Sequence, residues 1–352
     1  MTPISLCMIT KNEERYLGKC LRLLRPHFPE IIVADTGSAD RTVAIAEEYA
    51  DKVCPFQWVN DFSAARNFSL KQASNEWVLV VDGDEFLDEI DLAGMEKAIR
   101  QYPKGIGMII RNNPYGGDDQ PKSIATERVA RLFNRRFHHY EGIIHEQVVP
   151  RDDSEPQYFP IPASFHHEGY VNQETAAEKA ERNLDLLFLD LQKNGADPYT
   201  YFQIGQSYTA LNDAEQACYF YGLALEFDVN PQQEYVRTLV EAYGYALLKL
   251  KRHAEALQFE NIYEAFATRA DFPFLMGLIY MNNAMFDQAV SEFSKATQMD
   301  EFAVVGVNSY LANYNIGVIY ECAGNAAQAR KYYRRCGDYA PAAKRLGVLP
   351  AS

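Results

Sequence analysis

The chain has 352 residues, of which 47% are apolar, and its 48 acidic against 34 basic residues give a formal net charge of −14. This length predicts two domains, since a single core seldom grows to that size. The charge disfavours a nucleic-acid partner, which would need many Lys and Arg contacts to phosphates, and it disfavours adhesion to an anionic membrane.

Targeting signals and cysteine spacing bear on the compartment. The six cysteines form no CxxC pair, and the first residues lack the basic region, apolar run and cleavage site of a signal peptide. No stretch reaches the roughly 20 apolar residues that a membrane-spanning helix needs. We therefore expect a cytoplasmic protein with reduced thiols and no membrane insertion.

The first third of the chain alternates β-rich runs with amphipathic helical patterns. The predicted strands are ISLCMI, EIIVADT, DKVCPF, EWVLVVD and GIGMIIRN, and the segments ERYLGKCLRLL and RTVAIAEEYA repeat apolar residues at helical spacing. This order predicts an α/β domain built on a parallel sheet with crossover helices. Regular alternation ends after Asn113, where RVARLFN is a further predicted strand.

From Asn172 onward the sequence predicts helices that contain an internal repeat. One copy comprises Tyr201, Gly205, Tyr208, Ala217, Tyr221 and Ala224; the next comprises Met276, Gly277, Tyr280, Ala289, Phe293 and Ala296; a third comprises Ile316, Gly317, Tyr320, Ala329 and Tyr333. A more degenerate copy contains Gly244, Ala254 and Ala256. The pattern resembles the tetratricopeptide repeat, in which small residues let paired helices pack closely. We predict an α/β domain over residues 1–171 and an all-α repeat domain over 172–352.

The apolar run VLVV leads directly into Asp82, Gly83 and Asp84. Ligands of open α/β sheets bind beyond the carboxyl ends of the strands, so these carboxylates are expected at the functional edge. Carboxylate oxygens suit magnesium or manganese, which can bridge to a diphosphate. Considered by itself, the motif is equally consistent with an ordinary turn, because Asp and Gly are common turn residues.

Four blocks in order make the interpretation more specific. They are MITKNEERYLGKCL, IIVADTGSADRT, DFSAARNFSL and WVLVVDGDEFL. Together they resemble glycosyltransferase family 2, the inverting enzymes of GT-A fold. The resemblance implies a GT-A, Rossmann-like nucleotide-sugar domain followed by the tetratricopeptide-like helices.

The resemblance also assigns donor-side roles, residue by residue. It places Thr10, Lys11 and Asn12 at the nucleotide, Asp35 at the uracil or ribose, and Arg66 and Asn67 at the donor; Asp84 contacts the metal, and Asp82 belongs to the same metal centre through the ribose or a metal-bound water. Ser38 and Asp40 are equally ordinary turn and cap residues, and we favour capping for Asp40. We expect Glu85 to cap the following helix.

Two later segments carry the acceptor-side predictions. Inverting transfer needs a general base for the acceptor proton. The segment EGIIHEQVV resembles the acceptor-side loop of the repeat-containing branch of the family, which makes Glu146 the candidate base and His145 its support or a donor contact. The segment SFHHEGY resembles the motif that closes the transferase domain, where a His reaches the metal or diphosphate: His167 first, with His166 as the alternative.

The implied reaction moves a sugar from a nucleotide-diphosphate sugar to a hydroxyl or thiol, with UDP-glucose and UDP-N-acetylglucosamine the leading donors. Repeat arrays offer concave surfaces to peptides, so a polypeptide is the expected acceptor. Bacterial family members with this layout glycosylate flagellins or ribosomally made peptides. One alternative is a glycan or cell-wall precursor as acceptor, with the repeats forming a homodimer. The other is a non-enzymatic binding protein on a degenerate transferase scaffold.

Overall fold

The computed structural model describes residues 3–115, 123–167 and 176–349, without the side chains of 113–115, 123–126, 167 and 176. The chain divides into two compact units, Met1–Lys193 and Asn194–Ser352. Helix α5 (Ala176–Asn194) therefore belongs almost entirely to the first unit. The boundary at 171/172 stays a prediction of where the transferase fold itself ends.

The first unit is built around an eight-stranded sheet and a small hairpin. The sheet strands are β1 (Ile4–Thr10), β2 (Glu30–Asp35), β3 (Lys52–Pro55), β4 (Trp77–Val80), β5 (Glu85–Ile90), β6 (Ile106–Tyr115), β7 (Ser123–Asn134) and β10 (Tyr158–His167), in the order β3-β2-β1-β4-β7-β6-β10-β5. Strands β8 (His138–Glu141) and β9 (Gln147–Pro150) form the hairpin.

The α/β architecture is as predicted, but the sheet is mixed rather than parallel. Strand β1 pairs in parallel with β2 and β4, whereas β7 is antiparallel to both β4 and β6, and β5 is antiparallel to β10. The five predicted strands all run in one direction. The sheet becomes mixed because β7 enters between β4 and β6, a long-range pairing that local periodicity does not encode.

Helices cover both faces of the sheet. They are α1 (Leu17–Leu24), α2 (Thr42–Tyr49), α3 (Phe62–Gln72) and α4 (Leu92–Gln101). Alternate residues of β1 enter different cores: Leu6 and Met8 pack with Leu17 of α1, and Cys7 packs with Leu70 of α3. Burial on both faces explains why the central strands are apolar throughout.

The second unit contains helical pairs. Its helices are α6 (Pro198–Ala210), α7 (Ala214–Leu225), α8 (Glu234–Lys249), α9 (His253–Ala256), a 3-10 helix (Leu257–Ile262), α10 (Tyr263–Phe266), α11 (Asp271–Asn282), α12 (Phe286–Ala296), α13 (Tyr310–Cys322), α14 (Ala326–Arg334) and α15 (Ala340–Val348). None of the helices within the described ranges is long and apolar enough to cross a membrane.

A single contact recurs in the clear copies of the repeat. A β-carbon added at Gly277 would lie 2.6 Å from the ring of Phe293, and one at Gly317 would lie 2.6 Å from the ring of Tyr333. Gly205 approaches Tyr221 in the same way. The first helix of each pair thus needs glycine where the aromatic ring of the second helix packs, which explains the spacing seen in the sequence.

Candidate active site

The loops that follow β1 and β2 are joined to each other by hydrogen bonds. The Asn12 backbone N–H donates to Ser38 Oγ at 2.9 Å, and Asn12 Oδ1 accepts from the Ala39 N–H at 2.8 Å. Asn12 has φ 54°, the left-handed conformation that Asn tolerates better than most residues. Lys11 is exposed beside it, so the two loops present a fixed polar rim at the carboxyl edge of the sheet.

Asp35 shapes this rim directly. Its Oδ2 accepts hydrogen bonds from the backbone of Gly37 (3.1 Å) and Ser38 (3.0 Å), and its Oδ1 accepts from the Ser38 hydroxyl at 2.5 Å. Thr10, at the end of the neighbouring strand, has a buried hydroxyl with no hydrogen-bond partner among the described residues. Such a group is expected to bind a buried water or a ligand.

Asp82 lies between two buried arginines. Its Oδ1 accepts from Arg66 Nη2 at 2.9 Å and its Oδ2 from Arg131 Nη2 at 2.6 Å. Burial by itself would raise the pKa of Asp82, but the charges of Arg131 and Arg66 outweigh it and hold that pKa well below its ordinary value. Asp82 is therefore a carboxylate fixed in its charged form by two guanidinium groups.

Glu85 begins β5 and contacts both Arg131 and the backbone of Asp82. It is fully buried, and its Oε1 accepts from Arg131 Nη2 at 2.9 Å while its Oε2 accepts the Asp82 N–H at 3.0 Å. The expectation that Glu85 caps the next helix was wrong: α4 begins later, and Asp91 caps it by accepting from the N–H groups of Ala93 and Gly94. A short strand intervenes, and the carboxylate of Glu85 turns inward to the arginine.

The β8–β9 hairpin brings Glu146, which the sequence predicts to lie on the acceptor side, into contact with Arg66. Glu146 Oε1 accepts from Arg66 Nε at 2.5 Å, and the Glu146 side chain is 12% exposed. His145 has φ 55°, and burial lowers the pKa of its imidazole despite the opposing charge of Glu146. Arg66 therefore connects the carboxylate at the end of β4 to the carboxylate of the hairpin loop.

Asn67 has a different role in the structure from its neighbour. Its Nδ2 donates to the Tyr140 carbonyl at 2.8 Å, and its Oδ1 accepts the Tyr140 N–H at 2.9 Å. The ring of Tyr140 lies 5.5 Å from the Arg66 guanidinium carbon. Asn67 thus attaches the hairpin to α3 through backbone bonds, and the donor contact expected from the sequence stays a prediction.

The turn after β4 offers a divalent metal only part of a coordination shell. Within the described ranges, no group of three or more His, Cys, Asp or Glu side chains could hold a metal ion. Both Asp82 oxygens accept from arginines, so Asp82 is a poor direct ligand. Asp84, partly exposed on the following turn, fits a site in which one carboxylate binds a metal whose other ligands are substrate phosphates and water.

The two histidines of β10 differ in their surroundings. His166 lies opposite Phe86 in the sheet, and its Nδ1 is 2.5 Å from Asp88 Oδ1. His167 is paired in register with Glu85, beside the Asp82–Asp84 turn, and its side chain lies outside the described residues. The preference for His167 as a metal ligand therefore stays a prediction. The side chain of His166 contacts Phe86 and Asp88.

The sequence-based predictions missed Arg131, Glu85 and Tyr140. Arg131 is a charged residue inside the apolar run VARLF and is 5% exposed. A charge enclosed by the apolar residues of VARLF was the available signal, because buried charges are nearly always paired. Arg66 Nη1, Arg131 Nε and Tyr140 Oη are buried and have no hydrogen-bond partner among the described residues.

Comparisons with known proteins agree with the family resemblance and the repeats that the sequence predicts. Residues 5–149 match the sequence profile of glycosyl transferase family 2. Residues 198–229, 274–302 and 310–342 match the tetratricopeptide repeat, and they contain the three clear copies that the sequence predicts, whereas the more degenerate copy at Gly244, Ala254 and Ala256 lies outside these ranges.

Several relatives are similar to part of the chain. A TPR repeat-containing protein of Synechococcus elongatus is 31% identical over 54% of this chain and 49% of its own length. The lipopolysaccharide core biosynthesis glycosyltransferase LpsC of Rhizobium meliloti is 30% identical over 42% of this chain and 57% of its own, and the prophage-derived glycosyltransferase SunS of Bacillus subtilis is 29% identical over 61% and 52%. The chain spans about half the length of the curated relatives it matches.

Among solved structures, S. aureus TarS 1–349 is 15% identical with a TM-score of 0.37, covering 87% of this chain and 95% of that one. Residues 5–149 of this chain are a family 2 glycosyltransferase domain, and tetratricopeptide repeats follow between residues 198 and 342.

Proposed function

We propose that this protein transfers a sugar from a nucleotide-diphosphate sugar to an acceptor, with inversion at the anomeric carbon. The observation that carries the proposal is the position of Arg66, which bonds to Asp82 on the donor side and to Glu146 on the acceptor side. Three separate segments of the sequence meet at this one guanidinium. Burying charged groups costs free energy, so their presence together in this site supports an active transferase over a degenerate scaffold.

Glu146 is the proposed general base. Arg66 bonds to Oε1 of this carboxylate, so Oε2 is the oxygen that can take the acceptor proton. The acceptor oxygen or sulfur then forms a bond to the anomeric carbon as the bond from that carbon to the diphosphate oxygen breaks. The nucleoside diphosphate leaves with the electron pair, and the proton remains on Glu146.

The donor pocket is proposed at the carboxyl ends of β1, β2 and β4. Thr10, Lys11, Asn12 and Asp35 form its nucleotide side, supported by the bonds that join their two loops. A UDP-sugar is the donor that we propose, on the resemblance of these blocks to family 2. Arg66 and the turn at Asp84 lie toward the diphosphate.

Asp84 is the residue proposed to hold a divalent metal, magnesium or manganese, with His167 as a further candidate ligand. A bound metal would neutralise the charge that develops on the departing diphosphate. Two contacts of this chain hold the Asp82–Asp84 turn in place. Glu85 accepts a hydrogen bond from the Asp82 N–H, and the Cys20 thiol lies 3.2 Å from the Glu85 carbonyl oxygen. Asp82 is proposed to act through the arginines.

A polypeptide is the proposed acceptor, because three repeats follow the transferase domain and repeat arrays commonly bind peptides. The second candidate is a glycan acceptor with the repeats serving homodimer formation. One relative is named for lipopolysaccharide core biosynthesis, which is the observation that favours this alternative.

The reaction is tested by turnover of a panel of nucleotide sugars with magnesium or manganese, comparing wild type with Glu146→Gln. Glu141→Gln is the matched control, because Glu141 lies in the same hairpin but is exposed and pairs with His139. We expect Glu146→Gln to bind the donor and lose transfer, and Glu141→Gln to behave as wild type. Equal transfer by all three proteins would exclude Glu146 as the base.

The acceptor is tested with a chain that ends after Lys193. We expect donor hydrolysis to persist and transfer to peptides to be lost. Transfer to a glycan at the full rate by the shortened chain would instead favour the second candidate.

A further inference from the structure

We infer that Arg131 is a positioning residue for the transfer reaction, because it fixes Asp82 and, through Asp82, holds Arg66 against Glu146. This inference rests on the proposed function and adds to it a residue that no sequence motif identified. Arg131 acts through Asp82 and Arg66 rather than on the reacting atoms.

The contacts form an uninterrupted series. Arg131 Nη2 lies 2.6 Å from Asp82 Oδ2, Arg66 Nη2 lies 2.9 Å from Asp82 Oδ1, and Arg66 Nε lies 2.5 Å from Glu146 Oε1. The two arginines use different oxygens of Asp82, so they do not compete for it. The arginine side chains are 6% and 8% exposed, which leaves water little room to replace either contact.

Arg66 can hold Glu146 in place only while Asp82 stays where it is. The guanidinium is planar and rigid, so a shift of its Nη2 end also moves its Nε end. Asp82 follows β4 on a turn and has 29% of its side chain exposed, and Arg131 is the contact that fixes its second oxygen. Loss of Arg131 would let Asp82 and Arg66 move together, away from the geometry that Glu146 needs.

The position of Arg131 in the sheet makes it a rigid support. Strand β7 pairs with β4 on one side and with β6 on the other, and Arg131 lies at a β-bulge of this central strand, between Ala130, which pairs with Met108, and Leu132, which pairs with Gly107. Its second contact, to the fully buried Glu85, orients the guanidinium. Side chains on central strands are displaced less easily than side chains on loops.

Arg111 provides a matched control. Arg111 contacts Glu85 Oε1 at 3.1 Å, and Arg131 contacts the same oxygen. The other partner of Arg111 is the exposed side chain of Glu127, at 2.8 Å. Both Arg131→Gln and Arg111→Gln remove one positive charge from Glu85. Of the two, Arg131→Gln also removes a partner of Asp82.

The experiment uses the full chain and measures kcat and donor KM for wild type, Arg131→Gln, Arg131→Lys and Arg111→Gln. We expect Arg131→Gln to lower kcat by about 100-fold, as small misplacements of catalytic groups do, with a much smaller change in donor KM. Arg131→Lys should recover part of the loss, and Arg111→Gln should stay near wild type. Equal losses in Arg131→Gln and Arg111→Gln, or no loss in either, would overturn the inference.

A second measurement does not depend on turnover or on the donor being known. The Nε–H of Arg66 is buried and hydrogen bonded, so its NMR signal in protein with ¹⁵N-labelled arginine should exchange slowly with water. We expect the Arg66 Nε–H to exchange faster in Arg131→Lys than in wild type. This variant keeps the positive charge at position 131, so it is expected to fold. In Arg111→Gln the Arg66 Nε–H should exchange at the wild-type rate. An unchanged Arg66 signal in Arg131→Lys and Arg131→Gln refutes the positioning role, whereas absence of turnover in wild type with every donor would count against the proposed function alone.

Discussion

Replacing Asp82 with Asn should destabilise the first unit far more than the same replacement at Asp84. Asp82→Asn removes the negative charge that Arg66 and Arg131 share, and those side chains are 8% and 6% exposed. Breaking a buried ion pair costs about 3–5 kcal/mol, because a charge is left uncompensated. Since 29% of the Asp82 side chain is exposed, we expect a loss of about 2–4 kcal/mol in the free energy of unfolding.

The pH dependence of this difference follows from the lowered pKa of Asp82. A carboxylate whose pKa is lower in the folded state contributes stability above its unfolded pKa, which is about 4 for Asp. That contribution is lost as the pH falls through the folded pKa. We therefore expect wild type and Asp82→Asn to differ fully at pH 7 and to converge only well below pH 4.

Asp84→Asn is the control, since Asp84 lies two residues further along and is partly exposed. Its unfolding free energy should stay within about 1 kcal/mol of wild type, as for most surface changes. Urea unfolding followed by tryptophan fluorescence measures the difference, because both tryptophans, Trp58 and Trp77, lie in the first unit. Equal stability of the two variants at pH 7 would refute the assignment of Asp82 to the arginines.

Two further predictions concern glycine packing in the repeats and the hydrogen bonds of Asn67. Gly277→Ala should lower the stability of the repeats by about 1 kcal/mol, because the overpacking at Phe293 exceeds the gain in helix propensity. Gly222→Ala should raise that stability by up to about 1 kcal/mol, because its added carbon meets nothing closer than 4.0 Å. Thermal unfolding followed by circular dichroism distinguishes the decrease from the increase. Asn67→Ala should lower stability and kcat together with little selective effect on donor KM, because it breaks two bonds to the Tyr140 backbone. A large rise in donor KM at unchanged stability would show instead that Asn67 contacts the donor.

The sequence predicted the edge of the sheet at which the candidate site residues Asp35 and Asp82 lie, because strand ends are marked locally. Asp35 and Asp82 each follow an apolar run, and the carboxyl ends of parallel strands meet at one edge. The repeats were predictable for a similar reason: Gly277 and Phe293 stand at a spacing that recurs in each of the three clear copies, and each of these pairs makes the same contact.

The arginine pairing could not be predicted in the same way. Arg131 contacts Asp82 because β7 runs between β4 and β6, and no local pattern encodes that insertion. Glu85 was interpreted as a helix cap, whereas it begins a strand of six residues, three of which are acidic. Both errors concern long-range pairing, whose partners lie 46 and 49 residues apart.

The most direct test of the central claim is turnover of a nucleotide-sugar panel by wild type and Asp84→Ala, each with and without manganese or magnesium. We expect metal-dependent release of the nucleoside diphosphate by wild type with at least one donor, and loss of this release in Asp84→Ala while the fold is retained. Equal turnover by both proteins would contradict the metal role of Asp84, and a wild type that neither binds nor cleaves any nucleotide sugar would contradict glycosyl transfer itself.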